Sequence, residues 1–283
     1  MLSFLCMNPD GLVSVIVTTK NEGEVIDRLL KSIKMQTHRD IELIVVDNAS
    51  VDKTVSIARH FTDKVFNFGP ERSAQRNYGA KKAKGKYLLF LDADMKLSPG
   101  VIASCVSLVE KDRKMAGAAI LEDSVATNFW ERVKAFERSF YNLAGDELTD
   151  AARFFKKEIF LKVGGYDQRI TGPEDWDLTE RLKRRGHKIG LATTIIFHYE
   201  RIPSLFNLLK KKYYYALRLH RYLNKQKIPL ISPKTIYFLR PVFYKNWKRL
   251  LVNPILSVSM FGMLILEMCA GGIGYLIGKA RSI

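Results

Sequence analysis

A chain of 283 residues, 47% of them hydrophobic and 27% charged, can bury one large core and is too apolar for disorder to be the starting assumption. Its formal net charge of +17 calls for an anionic partner: a nucleic acid, an anionic lipid surface or a phosphorylated substrate. The three cysteines, Cys6, Cys105 and Cys269, lack C-x-x-C spacing and offer neither a disulfide framework nor a zinc site, so a reducing compartment fits.

The opening "MLSFLCMNPDGL" has no basic n-region and too short an apolar run for a signal peptide. "VSVIVTTK" then reads as a buried strand, and "NEGEVIDRLLKSIKMQ" sets Ile26, Leu29, Leu30 and Ile33 at helical spacing. "IELIVVDNAS" is a second apolar run closed by an acid; "DKTVSIARHF" is helical, with Ser50 as the expected N-cap and Asp52 favourable in the first turn. "DKVFNFG" gives a third strand, "RSAQRNYGAKKAKG" a helix stopped by Gly85, and "KYLLFLDAD" a fourth strand. This alternation with short connections predicts a mostly parallel sheet covered by helices, whose ligands gather at the carboxyl ends of the strands. Thr18 to Glu22, Asp47-Asn48 and Asp92-Ala93-Asp94 all fall on that edge.

In an extended strand Asp92 and Asp94 would point the same way, as a pair able to hold a cation; aspartates at a strand end also serve the following turn. Neither G-x-G-x-x-G nor a P-loop follows the first strand, so any phosphate is not held mainly by a glycine nest. A metal on carboxylates is the remaining means of neutralising it. Downstream, "TGPEDWDLTERLKRRG" starts a helix at Gly172-Pro173 with Glu174, Asp175 and Asp177 in its first turn, where acids also complement the helix dipole. "TTIIFHYE" ends a strand-like run at His198.

Between Arg201 and Arg249 there are thirteen Lys and Arg and no acid, which marks a boundary near residue 200: a domain over 1–200 and an extension over 201–283. Lys210-Lys211-Lys212 beside Tyr213, Tyr214, Tyr215 and Tyr222 is a mixture also met in single-stranded nucleic-acid sites, but no nucleic-acid motif accompanies it and no such partner is expected. The apolar run 254–278 follows, broken by Glu267. Cations beside an apolar segment suit an anionic membrane surface, at about 1 kcal/mol per cation, and their excess ahead of the segment keeps the preceding chain on the cytoplasmic face. About 20 residues suffice to span a bilayer. Glu267 costs about 2.5–3.5 kcal/mol on insertion scales and Gly271, Gly272 and Gly274 weaken a continuous helix, so an in-plane or re-entrant arrangement competes with a span.

In order, "VSVIVTTKNE", "IELIVVDNASVDKT", "RSAQRNYGAKKAKGKYLLFLDADMKLSPG" and "FFKKEIFLKVGGYDQRITGPEDWDLTERLKRRGHKIG" closely resemble the family-two inverting glycosyltransferases with a GT-A fold, over roughly residues 12–200. The resemblance implies a nucleotide-diphosphate sugar at the carboxyl edge. It makes Asp94 a ligand of Mg²⁺ or Mn²⁺, puts Asp92 on the ribose or on the metal through water, and adds His198 as a third metal candidate. It assigns Thr18, Lys20, Glu22 and Asp47 to the nucleotide, together with one of Arg72 and Arg76, the other being a solvated charge. Glu174 and Asp175 match the acidic pair whose second member takes the acceptor's proton, so Asp175 is the expected general base, and Trp176 is either core or a wall beside the sugar. Lys20 before Asn21, and Asn48 where a second Asp is usual, depart from the commoner pattern and bear on the identity of the base. The expected whole is a metal-dependent inverting enzyme of glycan biosynthesis acting on a lipid-linked acceptor at a membrane surface. A protein or soluble glycan acceptor is the alternative within the class, and an inactive membrane-tethering module the alternative outside it.

Overall fold

The computed structural model describes residues 11–143 and 151–281. Cys6 and the opening segment read against a signal peptide lie outside the described residues. In chain order the elements are β1 (Val13–Thr19), α1 (Ile26–Lys34), β2 (Ile41–Asp47), α2 (Thr54–Arg59), β3 (Val65–Asn67), α3 (Arg72–Lys82), β4 (Tyr87–Asp92), β5 (Met95–Leu97), α4 (Val101–Glu110), β6 (Met115–Val125), α5 (Phe129–Arg138), β7 (Ala152–Lys156), α6 (Lys157–Lys162), α7 (Glu174–Arg184), β8 (Lys188–Tyr199), α8 (Leu205–Ala216), α9 (Leu219–Gln226), α10 (Pro241–Lys245), α11 (Trp247–Val252) and α12 (Pro254–Ala280). The strands form one sheet in the order β3-β2-β1-β4-β7-β6-β8-β5. Its β3-β2-β1-β4 half is parallel, and β7 runs antiparallel between β4 and β6.

Burial of both sheet faces explains the near-continuous apolar strands. Val13, Val15 and Val17 of β1 and Leu89 and Leu91 of β4 enter one core with Ile26, Leu29 and Leu30 of α1 and Val101 and Ile102 of α4. The alternate residues Ile16, Leu88 and Phe90 enter the other, with Ala80 of α3 and Phe155 of β7. The four apolar positions expected on one face of α1 are all buried there. Two local expectations are corrected. Helix α2 begins at Thr54 with no side-chain cap, because Ser50 is committed to Asp47 and Asn21 instead. Strand β4 stops at Asp92, and Ala93-Asp94 turn into β5, so strand alternation does not set the relation of Asp92 to Asp94.

The chain divides into two compact units that share it in turns: Met1–Ile120, Ala151–Tyr166 and Leu178–Phe197 make the first, and Leu121–Asp150, Asp167–Asp177 and His198–Ile283 the second. The first contains the two cores just described. The second is helical, with a core of Val133, Phe140, Phe243, Met260, Met263 and Leu264. There α12 lies along α8. A Cβ on Gly274 would come within 2.3 Å of the Tyr213 carbonyl oxygen, and one on Gly278 within 1.9 Å of that of Leu217, so only glycine allows this seam. The glycines that seemed to weaken a helix are inside a continuous one of 27 residues, long and apolar enough in length and composition to cross a membrane.

Candidate active site

Strand register sets the first group of residues in line: Thr19 pairs with Asp47, and Thr18 with Asp92, at the carboxyl ends of β1, β2 and β4. Asp47, 2% exposed, accepts from the Thr19 hydroxyl (2.7 Å), the Ser50 hydroxyl (2.5 Å) and the Ser50 amide (2.7 Å). The loop after β1 is laced to the loop after β2. Asn21, at φ 54°, receives the Val51 amide on its side chain, while its own amide donates to Ser50 Oγ. The Glu22 amide donates to Thr54 Oγ1 and the Gly23 amide to Asp52 Oδ2. Hydrogen bonds, first that from the Thr54 hydroxyl, hold the Asp52 carboxyl below its ordinary range, against the opposing effect of desolvation. Asn48 donates to the Pro70 carbonyl at 2.9 Å. Thr18 is buried, Glu22 half-buried and Lys20 exposed.

At the end of β4, Asp92 faces guanidinium groups from two directions. Arg76 Nη2 of α3 donates to Oδ1 at 3.0 Å, Arg153 Nη1 of β7 to Oδ2 at 3.3 Å, and Arg72 Nη1 lies 4.0 Å from Oδ1. Arg76 is 1% exposed, with its guanidinium 5.2 Å from the Tyr166 ring centroid. Of the two α3 arginines, then, Arg72 is the more exposed, and neither stands as an isolated solvated charge. Three arginines thus converge on one carboxylate at this end of the sheet. Arg153 was not singled out in the sequence. Its signal is a lone cation among Ala152, Phe154 and Phe155 in a buried strand, where it needs an acidic partner.

Among the described residues no group of three or more His, Cys, Asp or Glu side chains is set to hold a metal ion. A hard cation that takes one or two carboxylates and completes its shell with substrate phosphates and water would need no such group. Asp92 and Asp94 are the two carboxylates at this strand end, and Asp92 is engaged by Arg76 and Arg153.

In the second unit, Glu174 and Asp177 at the start of α7 are buried, while Asp175 and Trp176 are half-buried. Asp177 accepts from Gln226 Nε2 at 2.6 Å and Lys225 Nζ at 2.9 Å, both on α9. Lys225 also reaches Asp167 at 2.8 Å, and Arg169 meets Asp167 at 2.9 Å. Hydrogen bonds from Arg169 first, then Lys225, hold the Asp167 carboxyl well below the usual carboxylate range although burial opposes them. Trp176 packs on the cluster of Ile170, Tyr222 and Leu223, its ring centroid 6.5 Å from that of Tyr222. His198 Nδ1 lies 3.3 Å from Glu122 Oε2 and 3.2 Å from Arg138 Nη1, and Arg138 pairs with Glu200 at 2.8 Å.

The family model described as Glycosyl transferase family 2 matches residues 14–165, more than half of the chain. An uncharacterized glycosyltransferase of Rickettsia typhi is 26% identical over 267 residues, covering 83% of this chain and 80% of the relative. The GalNAc(5)-diNAcBac-PP-undecaprenol beta-1,3-glucosyltransferase of Campylobacter jejuni is 25% identical over 188 residues, covering 56% of this chain and 60% of the relative. Among solved structures, a mannosyltransferase of Pyrobaculum calidifontis in complex with GDP-Man and Mn²⁺ superposes with a TM-score of 0.53 at 18% identity, over 95% of this chain and 79% of the other.

Proposed function

The chain belongs to glycosyl transferase family 2, and from that premise we propose that it transfers a sugar, with inversion and with the help of a divalent cation, from a nucleotide-diphosphate donor to a lipid-linked acceptor at a membrane surface. The observation that carries the reading is the carboxyl edge of β1, β2 and β4, where Asp92 is faced by Arg76 and Arg153. The positive charge of Arg72, Arg76 and Arg153 receives the diphosphate, with Asp92 holding two of the guanidinium groups in place. A carboxylate has about four acceptor positions. Asp47 uses three within the chain, which leaves one for a base N–H, beside Thr18, Lys20 and Glu22 around the ribose. Asp94, with Asp92 through water, would hold Mg²⁺ or Mn²⁺, which supplies positive charge beside the leaving diphosphate. A lipid-linked acceptor is supported by the undecaprenol-linked substrate named for the Campylobacter jejuni relative, and the cation by the Mn²⁺ in the Pyrobaculum calidifontis structure.

In the reaction, Asp175 takes the proton of the acceptor hydroxyl as its oxygen forms a bond to the anomeric carbon. The bond from that carbon to the diphosphate oxygen breaks on the opposite face, and the nucleoside diphosphate leaves with the electron pair. One in-line displacement without a covalent intermediate inverts the anomeric centre. Glu174 and Trp176 line the sugar, and His198 stands as a further candidate for the cation. By function the division falls near residue 200, with the transferase chemistry in 1–200 and membrane association on the cytoplasmic face in 201–283, while the second compact unit draws its core from both sides of that boundary.

The test is a thermal-shift panel of UDP-, GDP- and dTDP-sugars with Mn²⁺ or Mg²⁺, followed by transfer to a polyprenyl-phosphate-linked acceptor and NMR of the new linkage. One donor should raise the unfolding temperature, since a ligand that binds the native state stabilises it by mass action. A product that retains the donor's anomeric configuration, or the absence of any donor that binds, overturns the reading.

A further inference from the structure

Helix α12 carries two different faces. Ser257, Met260, Met263, Leu264, Glu267, Gly274 and Gly278 are buried against the second unit, and a stripe half a turn away is apolar and open: Ile255, Val258 (74% exposed), Ile265, Ile273 and Leu276 (65% exposed). These five recur at spacings of three, seven, eight and three residues, which keeps them on one side of a helix. Leu251 and Val252 of α11 extend the exposed apolar surface at its start, where Tyr244 and Trp247 are also open.

The acid that breaks the apolar run lies on the inner face. Glu267, 2% exposed, accepts from Lys134 Nζ of α5 at 3.0 Å and pairs with Lys212 Nζ of α8 at 3.1 Å. Lys134 also pairs with Glu137 at 2.5 Å, and Tyr141 donates to Glu137 at 3.0 Å. To cross a bilayer, α12 would have to leave α5 and α8 and carry Glu267 into hydrocarbon without either lysine. Otherwise it would have to draw in α8, which bears Lys210, Lys211 and Lys212. Neither fits the packing, while a helix in the interface plane needs only its outer stripe covered.

Charge selects what covers it. Lys245, Lys248, Lys279 and Arg281 are exposed beside the two ends of α12, within a chain of net charge +17. A second copy would bring the same charge, whereas an anionic bilayer offers the opposite one together with an acyl boundary. We propose that α12 docks lengthwise in the interface of an anionic bilayer, with the Ile255–Leu276 stripe in the acyl boundary and these four cations on the headgroups, and does not cross the membrane. This deepens the membrane part of the reading above and rests on it, without needing the transfer chemistry.

The full chain is floated with vesicles of phosphatidylcholine alone or mixed with phosphatidylglycerol. Binding to the mixed vesicles is expected, weakened but not abolished by salt. Val258→Glu with Ile265→Glu, both at exposed positions, should lower the partition coefficient by about 100-fold at an unchanged unfolding temperature, since each apolar side chain withdrawn from the bilayer is worth at least about a factor of ten. Topology is read separately in membranes from cells making the full chain, using Cys6→Ser/Cys269→Ser with a single new thiol. Cys105 stays silent in this background, because burial pushes its thiol up to about 12. A thiol from Arg281→Cys should react with an impermeant maleimide in the same vesicles as one from Lys81→Cys. Reaction on opposite sides overturns the in-plane arrangement, even if the double-Glu variant were to misfold. Unchanged partition of the double-Glu variant overturns the stripe. Absence of wild-type binding to mixed vesicles, with the variant converting a dimer to a monomer, assigns the stripe to a second copy and overturns the lipid partner. No arm uses a donor or an acceptor, so failure of the transferase reading leaves the outcome interpretable.

Discussion

In the proposed reaction Asp92 and Asp94, on either side of Ala93, have different tasks, and substitution separates them. Asp94→Asn should abolish transfer with little change in unfolding temperature. Asp92→Asn should lower both, because it leaves Arg76 buried beside an amide in place of a carboxylate, and removing one partner of a buried pair costs about 3–5 kcal/mol. Differential scanning fluorimetry alongside a transfer assay in excess chelator checks both; full activity of Asp94→Asn, or wild-type activity in chelator, would exclude the cation from the reaction. Asp175→Asn keeps shape but not basicity, and should cut the transfer rate by about 10²-fold or more with donor binding nearly unchanged. A large loss in Glu174→Gln with a mild one at Asp175 would move the base by one position. Asp167 has a depressed carboxyl, so its contribution to stability is present above the unfolded value of about 4 and is lost as pH falls through the acid range. Asp167→Asn should therefore unfold at a lower temperature than wild type at neutral pH, and the gap should close on acidification. The positions of Asp47, Asp92 and Asp175 were legible because each ends an apolar run or opens a helix. Arg153 was not, since its partner Asp92 is 61 residues away and only the β4–β7 pairing joins them.

Among the elements, α7 shows how a helix end can be fixed by a residue that does no chemistry. Asp177 is clamped by Lys225 and Gln226 of α9, two residues beyond the proposed base. Replacing both, as Lys225→Met/Gln226→Leu, leaves Asp177 buried and loosens the first turn that carries Asp175. The rate constant at saturating donor should drop by about tenfold or more while donor affinity holds, and amide exchange over 174–178 should quicken. Unchanged exchange there with full activity would make the clamp irrelevant to α7. Strands β1, β2 and β4 and helix α1 could be read from the sequence because burial on two faces or on one stripe leaves a periodic record. The inner face of α12 could not: the spacing of Met260, Glu267 and Gly274 is helical, but nothing local says that Glu267 will meet Lys134, 133 residues earlier.

For the whole molecule, the C-terminal helix is a wall of the second unit as well as a surface of it. Deleting residues 250–283 removes Met260, Met263 and Leu264 from that unit's core and takes Glu267 from between two lysines. The truncated chain should lose the cooperative unfolding of the second unit and become open to proteolysis in α5 and α8; protection equal to that of the full chain would mean the helix is a detachable anchor. The strand order carries a separate consequence, for synthesis. Strand β5 waits at the sheet's far edge for β8, so Met95–Leu97, though packed on α1, has no strand partner until Lys188–Tyr199 has left the ribosome, and β4 has an open edge until β7 emerges. A nascent chain halted between them shows a buried-type strand with one unpaired side, a template for wrong pairing. Codon pace and chaperone occupancy over residues 95–190 should govern the yield of soluble protein more than they do over the first ninety.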